Sequence, residues 1–130
     1  MFFLLARNLN TRVQVSGGND YVEQAIEYIQ KNFTSEISLS EIAKMCSVSA
    51  EHFSRVFKKE TGFGFNKYIT LLRLQKAEAM LRQSDEISVT KVASECGFQD
   101  SNYFSVKFKN FYGISPKQMQ MRNDKKRLSP

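Results

Sequence analysis

A chain of 130 residues, 42% hydrophobic and 25% charged, is long enough for one compact domain or two very small ones sharing a helix, and too ordinary to be disordered or fibrous. The net charge of +6 is uneven: residues 1–52 hold four basic against six acidic side chains, the remainder fifteen against seven. A basic half points toward a polyanion, most often nucleic acid, with a solvated basic surface as the plainer alternative. No run approaches the roughly 18 apolar residues of a membrane span. The apolar stretch at residues 2–6 is too short for a signal-peptide core and has no charged region before it, so a cytoplasmic location is expected.

Residues 1–19 match nothing downstream, and Gly17-Gly18 makes a natural break, so this stretch is expected to be a linker or the remnant of a preceding domain. Asp20 stands three residues before Glu23, a capping-box arrangement, and Val22, Ile26, Ile29 and Phe33 follow at helical spacing. This pattern predicts an amphipathic helix ending near Asn32.

The chain then repeats itself. Ile37-Ser-Leu-Ser-Glu-Ile-Ala-Lys-Met-Cys46, with Phe53, Phe57-Lys58 and Gly62, returns as Ile87-Ser-Val-Thr-Lys-Val-Ala-Ser-Glu-Cys96, with Phe104, Phe108-Lys109 and Gly113. The offset is 50 up to the cysteines and 51 from the phenylalanines onward, which puts one extra residue near Asp100 to Tyr103. Each copy opens with a capping serine, Ser38 or Ser88, and a short helix closing at its cysteine. Glu41 can complete the first capping box where Lys91 cannot complete the second, so the first start is expected to be the better capped. Gly97 suits the left-handed conformation of a tight turn, which would cost Ser47 about 1 kcal/mol. A second helix follows from Ser49, or from residues 99–101. Its inner face carries Phe53, Val56 and Phe57 in the first copy and Phe104, Phe108 and Phe111 in the second.

Between the copies, about residues 65–82 are predicted to form a helix with two apolar stripes on nearly opposite sides, first Phe65, Tyr68, Ile69 and Leu72, then Leu74, Ala77 and Leu81. Such a helix must touch two different cores. Its length of about 27 Å approaches the roughly 34 Å between neighbouring major-groove faces on one side of a duplex.

A capped short helix, a tight turn and a second helix with one aromatic face and one polar face form the helix-turn-helix pattern, and two copies strengthen it. The outward face of the first copy offers Glu51, His52, Ser54, Arg55, Lys58 and Lys59, that of the second Ser101, Asn102, Ser105, Lys107 and Lys109. Arg55 can donate two bonds to a guanine edge, Glu51 can accept from a cytosine amine, and Asn102 suits adenine, while the lysines suit phosphates. Each has a plainer structural role: Arg55 in a surface ion pair, Glu51 at a helix N-terminus, the lysines as solvated charge. Cys46 and Cys96 lack zinc-ligand spacing and are expected to be small packing residues, with no metal or other cofactor. One histidine, no paired acids and no glycine-rich phosphate loop leave no constellation for an enzyme.

Gly62, Tyr68, Arg73-Leu74, Ala77, Leu81, Val92-Ala93, Gly97-Phe98, Asp100-Ser101, Tyr103-Phe104-Ser105, Phe108-Lys109, Gly113 and Ser115-Pro116 resemble the C-terminal DNA-binding domain of AraC/XylS-type transcription regulators. The resemblance covers about residues 20–122 and leaves 123–130 as a basic tail. It implies an all-α fold of about seven helices, with two homeodomain-like helix-turn-helix subdomains, about residues 38–61 and 88–112, joined by the long helix. It implies double-stranded DNA as partner, read by two recognition helices in successive major grooves of a promoter site. Carried over by position, Glu51, Ser54 and Arg55 face bases in the first unit, and Ser101, Asn102, Ser105 and Val106 in the second. Ser49, His52, Lys58, Lys59, Lys107 and Lys109 then serve phosphates or flanks. Val106 departs from the basic residue often found there, and Met119-Gln120 from the family's Tyr-Arg. RNA polymerase and an N-terminal sensory or receiver domain are further partners that the resemblance implies. The competing expectation is a helical protein-interaction module with a basic face. Sequence-blind architectural binding is a third, against which the unlike outer faces argue.

Overall fold

The computed structural model describes residues 20–128, with side chains described for 21–122. Among the described residues every element is a helix: α1 (Asp20–Asn32), α2 (Leu39–Met45), α3 (Ala50–Thr61), α4 (Phe65–Gln83), α5 (Val89–Glu95), α6 (Ser101–Tyr112) and α7 (Pro116–Leu128). None of these is long and apolar enough to cross a membrane. The expectations for residues 1–19, the capping role of the Asp20 side chain and the side chains of the basic tail lie outside the described residues.

The chain divides into two compact units between Leu72 and Arg73, inside α4. The division falls between the two apolar stripes of that helix, because each stripe is buried in its own core. Phe65, Tyr68, Ile69 and Leu72 are at most 5% exposed in the first unit, and Leu74, Ala77 and Leu81 at most 2% in the second.

In the first unit, α1 contributes Val22, Ile26 and Ile29, α2 contributes Ile42 and Ala43, and α3 contributes Phe53 and Phe57, all buried. Phe33, at the end of the α1 stripe, and Val56 are only half-buried. The centre is aromatic, with the Phe57 ring edge-on to Phe65 at 5.9 Å and to Tyr68 at 5.3 Å, geometries that the ring quadrupole favours. Tyr68 Oη accepts from Gln30 Nε2 at 3.4 Å, so the polar end of that buried ring is satisfied.

The second unit is built on Val92, Ala93 and Cys96 of α5, Phe98 in the turn, Phe104 and Phe108 of α6, and Met119 of α7. Phe111, expected on the inner face, is half-buried. Tyr112 instead carries the aromatic line onward, its ring tilted 43° to that of Phe108 at 4.5 Å, and donates to Glu78 Oε1 at 3.1 Å. Burial, then the adjacent Glu78 carboxylate, push the Tyr112 phenol well above its usual range. Met119 and Gln120, where the family pattern differs, are both buried. Gln120 Nε2 donates to the carbonyls of Ser84 and Ile87 at 2.9 and 2.8 Å, tying α7 to the chain between α4 and α5. The start of α7 is boxed reciprocally: Gln118 N donates to Ser115 Oγ and Ser115 N to Gln118 Oε1.

Two sequence expectations are corrected by the repeated turns. The extra residue of the second copy is Gln99, ahead of the expected stretch. Val48 N bonds to Ala43 O and Phe98 N to Ala93 O, still 50 apart, whereas the capping residues Ser49 and Asp100 are already 51 apart. The first helix start is also not the tighter one. Ser38 Oγ accepts from Glu41 N at 3.4 Å while Ser88 Oγ accepts from Lys91 N at 3.0 Å, because Ser38 Oγ is shared with Ser40 Oγ at 2.8 Å.

The turn conformation itself follows expectation, with Ser47 at φ 59° and Gly97 at φ 99°. Cys96 is fully buried, and that burial is the main cause pushing its thiol up to about 11. Cys46 is only half-buried, its Sγ 3.6 Å from Tyr21 O, so the packing role holds fully for one cysteine alone.

Candidate nucleic-acid interface

Each unit presents the polar side of one capped helix. In the first, Ser49 ends the turn in an extended conformation and its Oγ accepts from His52 N at 3.1 Å, which starts α3 cleanly. Phe53 and Phe57 pin one side of α3 into the core at 0% exposure. Positions three and four apart on the other side are thereby turned outward. Glu51, Arg55, Lys58 and Lys59 are exposed, while Ser54 and His52 are half-buried on the flanks. Arg55 Nη2 lies 3.3 Å from His52 Nδ1, and His52 Nε2 lies 3.2 Å from Tyr21 Oη. Glu51 in the first turn and Lys58 and Lys59 in the last also complement the helix dipole.

In the second unit Asp100 is the cap, its Oδ1 accepting from Asn102 N at 2.8 Å and from Tyr103 N at 3.3 Å. Phe104 and Phe108, again at 0% exposure, fix the rotation of α6. Asn102, Lys107 and Lys109 are exposed, Ser101 and Ser105 half-buried, and Val106 is 59% exposed. Both helices close on a left-handed glycine, Gly62 or Gly113, each at φ 83° and bonded to the carbonyl four residues back.

The sequence-predicted residues thus fall into two sets, each gathered on the outer side of one helix within its own unit. Chemically, the first set offers a forked cation, a carboxylate, an imidazole, two hydroxyls and two ammonium groups. The second offers an amide, two hydroxyls, an isopropyl group and two ammonium groups. Sequence reasoning missed Tyr103. It is 51% exposed on α6, and Lys107 Nζ sits 5.5 Å from its ring centroid. Its separation from Lys107, one helical turn, was the available signal. Behind the same helix, the Arg73 guanidinium lies 5.9 Å from the Phe98 ring centroid, and burial lowers its pKa from the usual arginine value.

Comparison with known proteins places this geometry. The family described as "Helix-turn-helix domain" matches residues 42–122. The HTH-type transcriptional activator RhaS of Klebsiella pneumoniae (strain 342) is 33% identical over 121 residues, 93% of this chain and 43% of that protein. The chain therefore spans less than half the length of that relative. Among solved structures, the C-terminal domain of AraT, a response regulator from Geobacillus stearothermophilus, superposes with a TM-score of 0.75 at 31% identity, covering 86% of this chain and 88% of that one. A transcriptional regulator from Chromobacterium violaceum, described as AraC-type DNA-binding domain-containing, gives 0.73 at 27%, covering 83% and 96%. With two capped helix-turn-helix units in one chain and these relatives around it, the protein belongs to the AraC/XylS-type helix-turn-helix family.

Proposed function

We propose that this chain is the sequence-specific, double-stranded DNA-binding module of a bacterial transcription regulator, with α3 and α6 each entering a major groove of one promoter site. The observation that carries this is the pairing, in each unit, of a capped helix anchored by two fully buried phenylalanines with an outer side rich in base- and phosphate-matching groups. Glu51, Ser54 and Arg55 are the base-facing set of α3, and Ser101, Asn102, Ser105 and Val106 that of α6. Ser49, Lys58, Lys59, Lys107 and Lys109 serve phosphates, and His52 lies on the flank of the α3 set. The two helix-turn-helix regions, with α4 between them, act as one module whose reading helices differ, so the site of one monomer is asymmetric.

The reading extends to RNA polymerase as a partner, since the RhaS relative is named an activator, to a sensory or receiver domain elsewhere in the whole regulator, and to the cytoplasm, where promoter DNA lies. Selection of bound sequences from a random duplex pool, followed by footprinting and a salt titration on selected and scrambled duplexes, tests it. The expected result is an asymmetric consensus protected over two neighbouring major grooves, with affinity falling steeply as salt rises while preference persists. Salt-insensitive binding, or none, would favour a protein-interaction module instead, and a footprint confined to one groove would reduce the reading to a single helix-turn-helix.

A further inference from the structure

Arg55 is the most discriminating donor on α3, and its orientation is tied to the core of the first unit through one side chain. A guanidinium carries only donors, so its contact with His52 Nδ1 at 3.3 Å requires that ring nitrogen to accept. The proton of the neutral imidazole then sits on Nε2, which donates to Tyr21 Oη at 3.2 Å. A single tautomer satisfies both contacts. Tyr21 belongs to α1, is half-buried, and packs 6.5 Å from the ring of the fully buried Phe53. The backbone amide of His52 is held as well, donating to Ser49 Oγ. Tyr21 and His52 are therefore both held to the first unit, and Arg55 is the outward tip of the path.

From this geometry we propose that His52 is a positioning residue rather than a phosphate contact: with Tyr21 as its anchor, it presets the Arg55 fork for base recognition. This rests on the DNA-binding reading above. A long side chain oriented before binding loses less rotamer freedom on contact, and an oriented fork accepts fewer wrong partners. The role is one of specificity, since the exposed lysines that would hold phosphates are untouched.

The test uses the full chain and the duplex selected from the random pool, with all single-base variants of that duplex and a scrambled one. Removing both ring nitrogens in His52→Phe is expected to lower discrimination about three- to tenfold at the base position that Arg55→Ala flattens, leaving scrambled-duplex affinity unchanged. Tyr21→Phe, which deletes only the anchor hydroxyl, acts at the same position and more weakly. His52→Asn keeps an acceptor at the Nδ1 place and retains most of the discrimination. In an Arg55→Ala background, neither His52→Phe nor Tyr21→Phe has a further effect. Equal losses on selected and scrambled duplexes would make His52 a phosphate contact and overturn the proposal. So would an effect that persists without Arg55, or a failure of His52→Asn to rescue a variant whose thermal unfolding matches that of the parent. An Arg55→Ala chain that keeps every base preference would sink the role of Arg55 itself, a distinct failure visible before any His52 variant is made. If the parent chain selects no sequence at all, the DNA-binding reading fails first.

Discussion

The two helix-turn-helix units share their interiors and differ on their outer sides. Paired phenylalanines one turn apart, a side-chain oxygen capping the second helix and a left-handed glycine closing it occur in both. Where the first unit exposes Glu51 and Arg55, the second exposes Asn102 and Val106. Apart from Ser54 and Ser105, and Lys58 and Lys109, which recur on the outer sides, the repeated residues specify how each helix is held, and the unrepeated ones what it can touch. Packing leaves little latitude because a phenylalanine anchored at 0% exposure has no slack; an outward side chain leaves much. A pair of substitutions, one in each unit, probes every level of this comparison.

The largest effects are expected inside. Phe57→Ala and Phe108→Ala each remove a fully buried ring and should cost about 3 to 5 kcal/mol in denaturant unfolding. Amide exchange followed by mass spectrometry checks whether each loss of protection stays on its own side of Leu72. Equal deprotection of both units by either variant would break the picture of two self-contained cores.

On the outer sides, Arg55→Ala is expected to cost about 1 to 3 kcal/mol on the selected duplex and to relax base choice at one position. Asn102→Ala should do the same at a different position. Lys58→Ala should weaken all duplexes alike and lower the salt slope by about one. Titrations on selected and scrambled duplexes separate these outcomes, and Arg55 leaves the base-reading set if its losses are equal on both.

The turns give a smaller contrast. Gly97→Ala forces a Cβ into φ 99° and should destabilise by about 1 kcal/mol or somewhat more, whereas Ser47→Gly relieves strain at φ 59° but frees the unfolded chain, leaving a net change under about 1 kcal/mol. Chemical denaturation of both variants measures the difference. A larger effect for Ser47→Gly would invert the expected order.

Much of this was legible in the sequence because it depends on local period and local chemistry. The buried stripes of α1 and α4, the capping roles of Ser38 and Ser88, the start of α3 at Ser49, and the left-handed Gly97 all follow from residues within a few positions of one another. Phe33 and Phe111 show the limit, since a stripe has ends that the core does not reach. What stayed hidden is long-range or a matter of competition. Gln99 as the inserted residue is fixed only by which amides bond across the turn. The cap at Ser38 is weakened by a neighbouring hydroxyl, and a spacing rule does not register competitors. Gln120 stands out in the sequence only as a departure from the family's Tyr-Arg, and its two carbonyl partners lie more than thirty positions away. The path from Tyr21 through His52 to Arg55 likewise joins positions 31 apart with no periodic signature. Tyr103 was missed for another reason: it lies outside the Phe104, Phe108 and Phe111 stripe and carries no charge or amide to single it out, and it is 51% exposed.

The finest test of the outer sides falls on Val106. An isopropyl group 59% exposed on the side of α6 proposed to face bases has no hydrogen bond to offer, so its only base-specific partner there would be the 5-methyl group of thymine. Burying a methyl is worth about 0.8 kcal/mol, roughly fourfold in affinity. Replacing thymine by uracil at each position of the half-site bound by α6 should therefore cost up to that amount at one position for the parent chain, and nothing there for Val106→Ala. The same replacements in the half-site bound by α3 should leave affinity unaltered, because the groups proposed to read bases there, Arg55 and Glu51, are charged. Sensitivity to uracil confined to the α3 half-site would reverse the expected assignment of the methyl contact to α6. Equal sensitivity of the parent and of Val106→Ala would assign the methyl contact to another residue of α6.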